Sequence, residues 1–341
     1  MEKVLIAMSG GVDSATAAYL LMQNKMAVEG VYFVFYDDPV NIEFAKESAK
    51  FLNIKLHIED LREIFKSYVI NPFFQGYKEG LTPNPCIVCN KYIKFPALKN
   101  IADRLRAKYF ATGHYARILR TDKDCYLLKG IDRKKDQSYF LYGINREFLK
   151  QLIFPLGEYT KEQVKEIAEK NNIPSKSAKE SAEVCFLKEK RYYEMLKPSS
   201  NGPVIEASTG KIIGQHRGIH LFTIGQRKRI GISSPYPLYV VKIEPKINAV
   251  YVDRKDRAFI RVFYVEELNW LYNIESDFMC EVKIRYAMHP EKATVTVMDN
   301  NKAKVVFEKP QFAPTPGQSA VFYKDDIVLG GGIIKETEQD F

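Results

Sequence analysis

The chain has 341 residues, a formal net charge of +9 and five cysteines. That length exceeds the usual size of one hydrophobic core, so two or three domains are expected. The sequence lacks an apolar run of the roughly 20 residues that span a bilayer, a secretory signal pattern and the dense cysteines of a disulfide framework. These features predict a cytoplasmic protein without a membrane segment, and the positive charge is compatible with nucleic acid.

The first half of the chain alternates short apolar runs with helical patterns. Strands are predicted at 3–8, 28–35, 55–58 and 109–111, and helices at 14–23, 42–52, 61–69 and 161–171. Strands that alternate with helices of this length indicate βαβ units. The predicted fold class is therefore α/β, with a Rossmann-like parallel sheet.

The pattern changes after about Tyr193, where short strands are separated by turns rich in Gly, Pro and Asn. These strands are predicted at 238–243, 249–252, 281–286, 293–297, 304–307 and 319–323. Such spacing is typical of β-barrel-like modules. We therefore expect three domains, at 1–195, 196–254 and 255–341.

The strongest local motif is SGGVDS at residues 9–14, between the first predicted strand and the first helix. Its two glycines permit a tight turn and a close approach of backbone N–H groups to an anion, which the helix N-terminus also favours. Ser9 and Ser14 offer hydroxyl donors, and Asp13 either holds Mg²⁺ or orders the loop. The motif matches SGGxDS, the pyrophosphate-binding PP-loop, and it lacks the Lys-Ser/Thr of the Walker type. The structural alternative is a Gly-rich turn with a serine N-cap.

Cys86 and Cys89 form a C-x-x-C pair within TPNPCIVCN. Two prolines make the approach stiff, and a helix is predicted to begin directly after Cys89, at 91–105. A helix N-terminus and a C-x-x-C arrangement each lower a thiol pKa, so Cys89 is a candidate nucleophile. Structural zinc is the alternative, but the sequence has no second C-x-x-C, and His216 and His220 are far away along the chain.

The other cysteines carry weaker signals. Cys185 in SAEVCFL, taken alone, is more typical of a small buried apolar residue than of a nucleophile. Cys125 and Cys280 lie in alternating strand patterns, which predicts core positions for both.

Three polar clusters remain. Residues 111–115 (ATGHY) end a predicted strand, where open α/β sheets bind ligands. Residues 135–141 (KDQSYFL) mix charged and aromatic side chains, which is typical of either an RNA-facing segment or a loop that leads into a core helix. The basic stretch 216–229 is either a solvated face or a set of phosphate contacts.

Together these segments resemble the tRNA-specific 2-thiouridylase family. The matching motifs, in order, are AMSGGVDS, TPNPCIVCNKYIKF, ATGHYAR, KDQSYFLYG, IFPLGE, EVCFL, GQHRGIHLFTIGQRKRIG, KIRY and PGQSAVFY followed by LGGGII. The resemblance implies a PP-loop domain of the adenine nucleotide alpha hydrolase-like fold, a small central domain and a C-terminal β-barrel. It also implies ATP-dependent 2-thiolation of the wobble uridine of tRNA, with release of AMP and pyrophosphate.

The resemblance further implies which residues form the site. Cys89 matches the family's nucleophile, and Cys185 matches its persulfide-carrying cysteine. The implied ATP contacts are Ala7, Met8, Ser9, Gly10, Gly11, Val12, Asp13, Ser14, Phe33 and Gly113. The implied neighbours of the target base are Asn84, Pro85 and Cys86. The implied tRNA contacts are His114, Lys135, Asp136, Gln137, Arg285, Tyr286 and Gln318.

The implied cofactors are ATP and Mg²⁺, and the implied partners are tRNA and a sulfur-donor protein that carries a persulfide. In the implied mechanism, the uridine 2-oxygen attacks the α-phosphate of ATP to give an adenylated base. Sulfur carried as a persulfide on Cys185 then replaces the oxygen with the help of Cys89. The base is expected to be flipped out of its stack, and a disulfide between the two cysteines can result.

Cys86 departs from the family pattern, which usually has Asp at this position. A thiol is a different acid from a carboxylate and a soft metal ligand, so a general-base role does not carry over. An alternative therefore stays open, in which Cys86, Cys89 and Cys185 hold an iron–sulfur cluster with one open iron.

Two further functions are consistent with parts of the sequence. Another PP-loop adenylating ligase, such as an amidotransferase-type synthetase, would need neither the paired cysteines nor RNA. A non-catalytic RNA-binding module would bind RNA without releasing pyrophosphate.

Overall fold

The computed structural model describes residues 1–174, 184–187, 191–196, 200–274, 277–299 and 301–338. The chain divides into two compact units. The first unit comprises Met1–Val69, Cys86–Ala182 and Asp325–Leu329, and the second comprises Ile70–Pro85, Glu183–Lys324 and Gly330–Phe341. Within the described ranges, no helix combines the length and apolar character that a membrane crossing requires.

The bounds of the elements follow the chain. Up to residue 170 they are β1 (Lys3–Ala7), α1 (Val12–Gln23), β2 (Ala27–Val34), α2 (Pro39–Phe51), β3 (Leu56–Asp60), α3 (Arg62–Phe65), α4 (Asn71–Lys78), α5 (Pro85–Cys89), α6 (Phe95–Arg104), β4 (Tyr109–Thr112), β5 (Ala116–Arg120), β6 (Cys125–Lys129), β7 (Leu152–Ile153) and α7 (Lys161–Lys170). From residue 202 they are β8 (Gly202–Glu206), β9 (Ile212–His216), β10 (Tyr239–Glu244), β11 (Ala249–Asp253), β12 (Phe259–Trp270), β13 (Phe278–Lys283), β14 (Glu291–Asp299), β15 (Lys302–Phe312), β16 (Ser319–Lys324) and β17 (Ile327–Thr337). Two π-helical turns, Lys66–Ile70 and Asn90–Lys94, join α3 to α4 and α5 to α6.

The first unit is built on a parallel sheet in the order β3-β2-β1-β4-β7. Its central strand β1 is a continuous apolar run in which Val4, Leu5 and Ile6 are fully buried, as expected for a strand covered on both faces. From β1 the chain winds outward through β2 and β3, and then returns to the other side of β1 as β4. Open α/β sheets bind ligands where the winding reverses in this way, here at the carboxyl ends of β1 and β4. The predicted α/β class is confirmed.

Local signals explain the helices that flank this sheet. Asp38 caps α2 by accepting a hydrogen bond from the Asn41 backbone N–H, and Pro39 occupies the first helical position. Thr160 and Gln163 form a reciprocal capping box at the start of α7. These caps fix the points at which the chain leaves the loops and enters the helices.

Two helix boundaries differ from the prediction. The helix expected at 61–69 continues as a helical run through the first π-helical turn to Lys78. The helix expected to begin after Cys89 begins instead at Pro85, because proline is favoured at the first helical position. The hairpin of β5 and β6 was not predicted.

The second unit contains two β modules. A four-stranded sheet in the order β10-β11-β8-β9 encloses an apolar cluster that includes Val204, Val240 and Val250. Six strands in the order β12-β15-β14-β13-β16-β17 form an antiparallel barrel, which the pairing of β12 with β17 closes. The predicted C-terminal β-barrel is confirmed. The strand expected at 281–286 ends at Lys283, so Arg285 and Tyr286 follow the strand.

Candidate functional site

The loop at 9–14 and Gly113 meet where the winding of the sheet reverses. Ala7 at the end of β1 pairs with Thr112 at the end of β4, so the loops that follow these strands are neighbours. A Cβ atom on Gly113 would lie 3.1 Å from the backbone nitrogen of Ser14. The structure therefore packs the two predicted ATP-contacting segments directly against each other.

The two glycines of the loop have different reasons to be glycine. Gly10 has a φ of +80°, and a Cβ atom there would lie 2.2 Å from the backbone oxygen of Asn41. Gly11 has an ordinary φ of −90°, and a Cβ atom would meet only the Ser9 hydroxyl, at 3.7 Å. The protein itself therefore requires glycine at position 10 but not at position 11. The open space above Gly11 fits a ligand that approaches the backbone closely, as a pyrophosphate group would.

Ser14 organises the loop internally. Its buried hydroxyl accepts a hydrogen bond from the Ser9 backbone N–H at 3.1 Å and donates to the Gly11 carbonyl at 2.9 Å. The N-cap of α1 is Gly11, so the alternative of a serine cap is wrong. The cap residue offers no side chain to the first N–H groups of α1, which leaves this helix end suited to an anion.

Asp13 contacts Tyr115, from the predicted ligand-binding segment 111–115, and Lys161, which was not predicted as a site residue. The Nζ of Lys161 lies 2.6 and 2.7 Å from its two carboxylate oxygens, and the Tyr115 hydroxyl donates to it at 2.9 Å. The only sequence signal for Lys161 was a cation at the first position of a helix, where the helix dipole disfavours it. Because both oxygens accept hydrogen bonds from the protein, Asp13 orders the loop in this arrangement.

Three apolar residues at the same edge of the sheet complete the predicted nucleotide site. Ala7 ends β1, and Met8 follows it and is buried. Phe33 lies near the end of β2, next to β1, with its ring 5.7 Å from that of Phe35. Apolar residues therefore end the strands next to the polar loop.

Cys86 and Cys89 lie within a helical run that extends from Pro85 to Arg104. Cys86 is in the first turn and reaches solvent, whereas Cys89 is buried at the end of α5. The expected position of Cys89 at a helix N-terminus is therefore wrong, and Cys86 occupies that position. Desolvation raises the pKa of the Cys86 thiol despite its contact with solvent, and the nearby charge of Lys94 opposes this effect.

Cys185 is exposed, which contradicts the expectation from its local sequence alone. It begins a short 3₁₀ turn, Cys185–Leu187, in the second unit, whereas residues 181–183 of its motif lie outside the described residues. The next two side chains take the buried positions: Leu187 is buried, and the Phe186 ring lies perpendicular to that of Phe73 at 5.3 Å. The turn is thus anchored on α4 while the thiol stays accessible.

The remaining two cysteines are at strand positions. Cys280 is buried in β13, as predicted, and burial raises the pKa of its thiol to about 12. Cys125 in β6 is only half-buried, so the prediction of a core position is wrong for this residue, which lies in a two-stranded hairpin.

The segment KDQ at 135–137 is held largely by the protein itself. The buried carboxylate of Asp136 accepts hydrogen bonds from the backbone N–H groups of Gly130 and Ser138 and from the Ser138 hydroxyl. Gln137 accepts from the Tyr115 N–H at 3.0 Å and donates its own backbone N–H to the Tyr115 carbonyl. The half-exposed Lys135 is the one of the three whose sequence position and charge suit a phosphate contact.

The His114 ring lies between two aromatic rings at the end of β4. Its centroid is 5.9 Å from that of Phe95 and 6.1 Å from that of Phe154, and its Nδ1 lies 2.7 Å from the Thr112 hydroxyl. Desolvation, and then the charge of Lys94, hold the pKa of His114 well below its usual value, although part of the side chain reaches solvent. His114 is therefore neutral at ordinary pH.

The predicted tRNA contacts of the second unit also have internal roles. One guanidinium nitrogen of Arg285 donates to the carbonyls of Ile224 and Ala313 and to the Thr315 hydroxyl, at 2.7 to 2.9 Å. The Gln318 side-chain amide donates to the Thr82 carbonyl at 2.7 Å and so holds the segment that leads to Asn84 and Pro85.

Two other parts of the second unit complete the predicted RNA contacts. Tyr286 is half-buried, with the Nζ of Lys283 5.3 Å from its ring centroid. The basic stretch at 216–229 exposes four cations, which are Arg217, Arg227, Lys228 and Arg229. These exposed cations are available for contacts to an anionic partner.

Across the described ranges, no three His, Cys, Asp or Glu side chains converge in a way that could hold a metal ion. Cys86 is exposed and Cys89 is buried in the first compact unit, whereas Cys185 belongs to the second unit. The iron–sulfur alternative, which needs all three cysteines, therefore stays a prediction.

Comparisons with known proteins agree with this description. Models of the tRNA methyl transferase HUP domain, the tRNA methyl transferase PRC-barrel domain and the aminomethyltransferase beta-barrel domain match residues 2–189, 190–254 and 260–334. A tRNA-specific 2-thiouridylase MnmA of Carboxydothermus hydrogenoformans is 41% identical, with 98% of each chain covered. The MnmA of Syntrophotalea carbinolica is 40% identical, again with 98% of each chain covered. Because the similarity extends over nearly the whole length of both relatives, the chain belongs to the tRNA-specific 2-thiouridylase family.

Proposed function

We propose that this protein replaces the 2-oxygen of the wobble uridine of tRNA with sulfur, at the expense of ATP. The observation that carries the proposal is the SGGVDS loop, which packs on Gly113 at the reversal of winding and leaves open space above Gly11. Open α/β sheets bind nucleotides at such a reversal. Relatives named tRNA-specific 2-thiouridylases, matched over their full length, supply the substrate and the reaction.

In the first step the uridine 2-oxygen attacks the α-phosphate of ATP, and pyrophosphate leaves. The backbone N–H groups at Gly10, Gly11 and the start of α1 bind the departing pyrophosphate. Lys161 and Tyr115 hold Asp13, and with it the first turn of α1, in position. Mg²⁺ enters with ATP on its phosphates, and we assign no side chain to it.

In the second step the terminal sulfur of a Cys185 persulfide attacks C2 of the adenylated base, and AMP leaves. The Cys89 thiolate then attacks the Cys185 sulfur, which releases the 2-thiouridine and leaves a Cys89–Cys185 disulfide. An external thiol reductant returns both cysteines to the reduced state. The exposed Cys185 is suited to receive sulfur from a persulfide-bearing protein, and the buried Cys89 is shielded from that donor.

The tRNA-binding role rests on charge and position. Lys135 and the exposed cations of the stretch 216–229 contact phosphates, whereas Asp136, Gln137 and Gln318 order the loops that present the site. Arg285 donates to the Ile224 carbonyl, and we assign Arg285, Tyr286 and His114 as further tRNA contacts. Asn84, Pro85 and Cys86 line the place of the target base.

The proposed domains are residues 1–195 for catalysis, 196–254 for the central module and 255–341 for the barrel, and the proposed compartment is the cytoplasm, where tRNA is available. The direct test is the release of pyrophosphate from ATP with and without unmodified tRNA. We expect release that depends on tRNA. Release without tRNA would favour another PP-loop ligase, and RNA binding without release would favour a non-catalytic RNA-binding module.

A further inference from the structure

Two tyrosines occupy the centres of the two π-helical turns that the described parts of the chain contain. Tyr68 is the middle residue of Lys66–Ile70, and Tyr92 is the middle residue of Asn90–Lys94. A π-helical turn is rare and is frequently found at functional sites. In this chain both turns place a tyrosine at the same surface.

The two tyrosine rings lie beside each other and face outward. Their centroids are 6.4 Å apart with an angle of 38° between the ring planes, and the residues are 53% and 46% exposed. The next residues, Val69 and Ile93, are buried. Each turn therefore directs its aliphatic residue to the core and its aromatic residue to solvent.

The charge around this pair is positive. The Nζ of Lys91 lies 5.1 Å from the centroid of the Tyr92 ring, and the Lys91 stem is positioned by close packing against Gly143. The two π-helical turns themselves, Lys66–Ile70 and Asn90–Lys94, contain three lysines and no acidic residue. Exposed aromatic rings among cations are typical of surfaces that bind single-stranded nucleic acid.

From this arrangement we infer that Tyr68 and Tyr92 form a stacking platform for an unpaired base of the tRNA anticodon loop. The inference rests on the proposed function and names a further contact of the same substrate. Tyr92 lies in the same helical run as Cys89 and directly follows its turn. The platform therefore holds a nucleotide close in sequence to the uridine that is flipped out for reaction.

The test uses the full-length protein and unmodified tRNA. Tyr68→Leu and Tyr92→Leu keep apolar bulk but remove the ring, and each should weaken tRNA binding by roughly tenfold, as expected for loss of one base–aromatic stack. Tyr92→Trp should keep the wild-type tRNA affinity because it retains an aromatic face. Phe51→Leu, at a similarly exposed site on α2, is the matched control and should leave tRNA affinity unchanged.

A second arm identifies the base. Transcripts with one abasic nucleotide at each anticodon-loop position in turn should include one that the wild type binds roughly tenfold more weakly. The Tyr92→Leu variant should show no further loss with that transcript, because the two changes remove the same contact.

Two results would overturn the inference. The first is unchanged tRNA affinity in both leucine variants. The second is a leucine variant that binds tRNA normally and is active with a small persulfide, but does not thiolate tRNA when the sulfur donor is a protein. That result would mean that the tyrosines bind the donor protein. A wild-type protein that neither binds tRNA nor releases pyrophosphate with it would instead refute the proposed function, before any tyrosine variant is compared.

Discussion

The ammonium of Lys161 and the carboxylate of Asp13 form an ion pair that joins the first turns of two helices, α7 and α1. The Lys161 side chain is 7% exposed, whereas that of Asp13 is 33% exposed. A buried cation without its partner is costly, while a partly exposed carboxylate can be hydrated. Removing the charge of Asp13 should therefore cost more stability than removing the charge of Lys161.

Asp13→Asn should destabilise the protein more than Lys161→Met. Measured by urea unfolding, the free energy of unfolding should fall by about 3 kcal/mol in Asp13→Asn and by about 1 kcal/mol in Lys161→Met. The double variant should be more stable than Asp13→Asn alone, because Met replaces the unpaired cation. All three should lose tRNA-dependent pyrophosphate release and keep their tRNA affinity, since the loop loses its restraint. Equal losses in the two single variants, or full pyrophosphate release, would contradict this role.

Alanine at the two loop glycines should separate folding from ATP binding. Gly11→Ala has room in the protein and an ordinary backbone conformation, so its melting temperature should stay the same or rise slightly. Its ATP affinity should nevertheless fall at least tenfold, because the new methyl group fills the open space above the backbone. Gly10→Ala should lower both the melting temperature and the ATP affinity, because Gly10 has a positive φ and an added Cβ atom would clash with the Asn41 backbone. Calorimetric ATP titration and thermal unfolding provide both values, and normal ATP affinity in Gly11→Ala would place the nucleotide elsewhere.

His114 should make the protein less stable in mild acid. Its folded-state pKa is far below the usual value near 6.5, so the unfolded chain binds a proton that the folded chain does not. The contribution of His114 to the free energy of unfolding is thus fully present above about pH 6.5, and it is lost as the pH falls towards the folded-state pKa.

When the pH falls from about 7.5 to about 5.5, the free energy of unfolding of the wild type should decrease. For His114→Gln this decrease should be about 1.4 kcal/mol smaller. Urea unfolding at the two pH values gives the comparison. His216 and His220, whose pKa values burial also lowers, remain in both proteins and cancel in the difference. Equal losses in the two proteins would show that His114 is not the titrating group.

The cysteine variants should divide into three groups. Cys89→Ser and Cys185→Ser should abolish thiolation but keep tRNA-dependent pyrophosphate release, since adenylation precedes sulfur transfer. Cys86→Asp should keep substantial activity, and Cys125→Ser and Cys280→Ser should have little effect on it. Protein purified in air and free of iron should be active with a persulfide donor. Activity that appears only after anaerobic cluster reconstitution, and that follows iron content through the Cys86, Cys89 and Cys185 variants, would contradict the persulfide mechanism.

The elements that the sequence predicted correctly depend on neighbouring residues. The apolar run of β1, the glycines that follow it and the helical spacing of α1 are all encoded within about two dozen residues, so pattern analysis finds them. The ion pair of Lys161 with Asp13 joins residues that are distant in the chain, and only the fold brings them together.

Other differences come from competing local signals. Asn84 and Pro85 have the residue types of a helix start, but proline also suits an extended segment, and the second interpretation was wrong. Cys185 is exposed because Phe186 and Leu187 occupy the apolar contacts, a choice that periodicity cannot make over three residues. Apolar periodicity did not distinguish the π-helical turns at Tyr68 and Tyr92 from ordinary helical turns, so they were identified only in the structure.

The most direct test of the central claim is mass analysis of nucleosides from tRNA incubated with the protein, ATP and a persulfide donor. We predict 2-thiouridine at the wobble position, with AMP and pyrophosphate formed in equal amounts, and no 2-thiouridine with Cys89→Ser under the same conditions. Unmodified uridine in the wild-type reaction, under conditions in which ATP and tRNA are both bound, would contradict the proposed function.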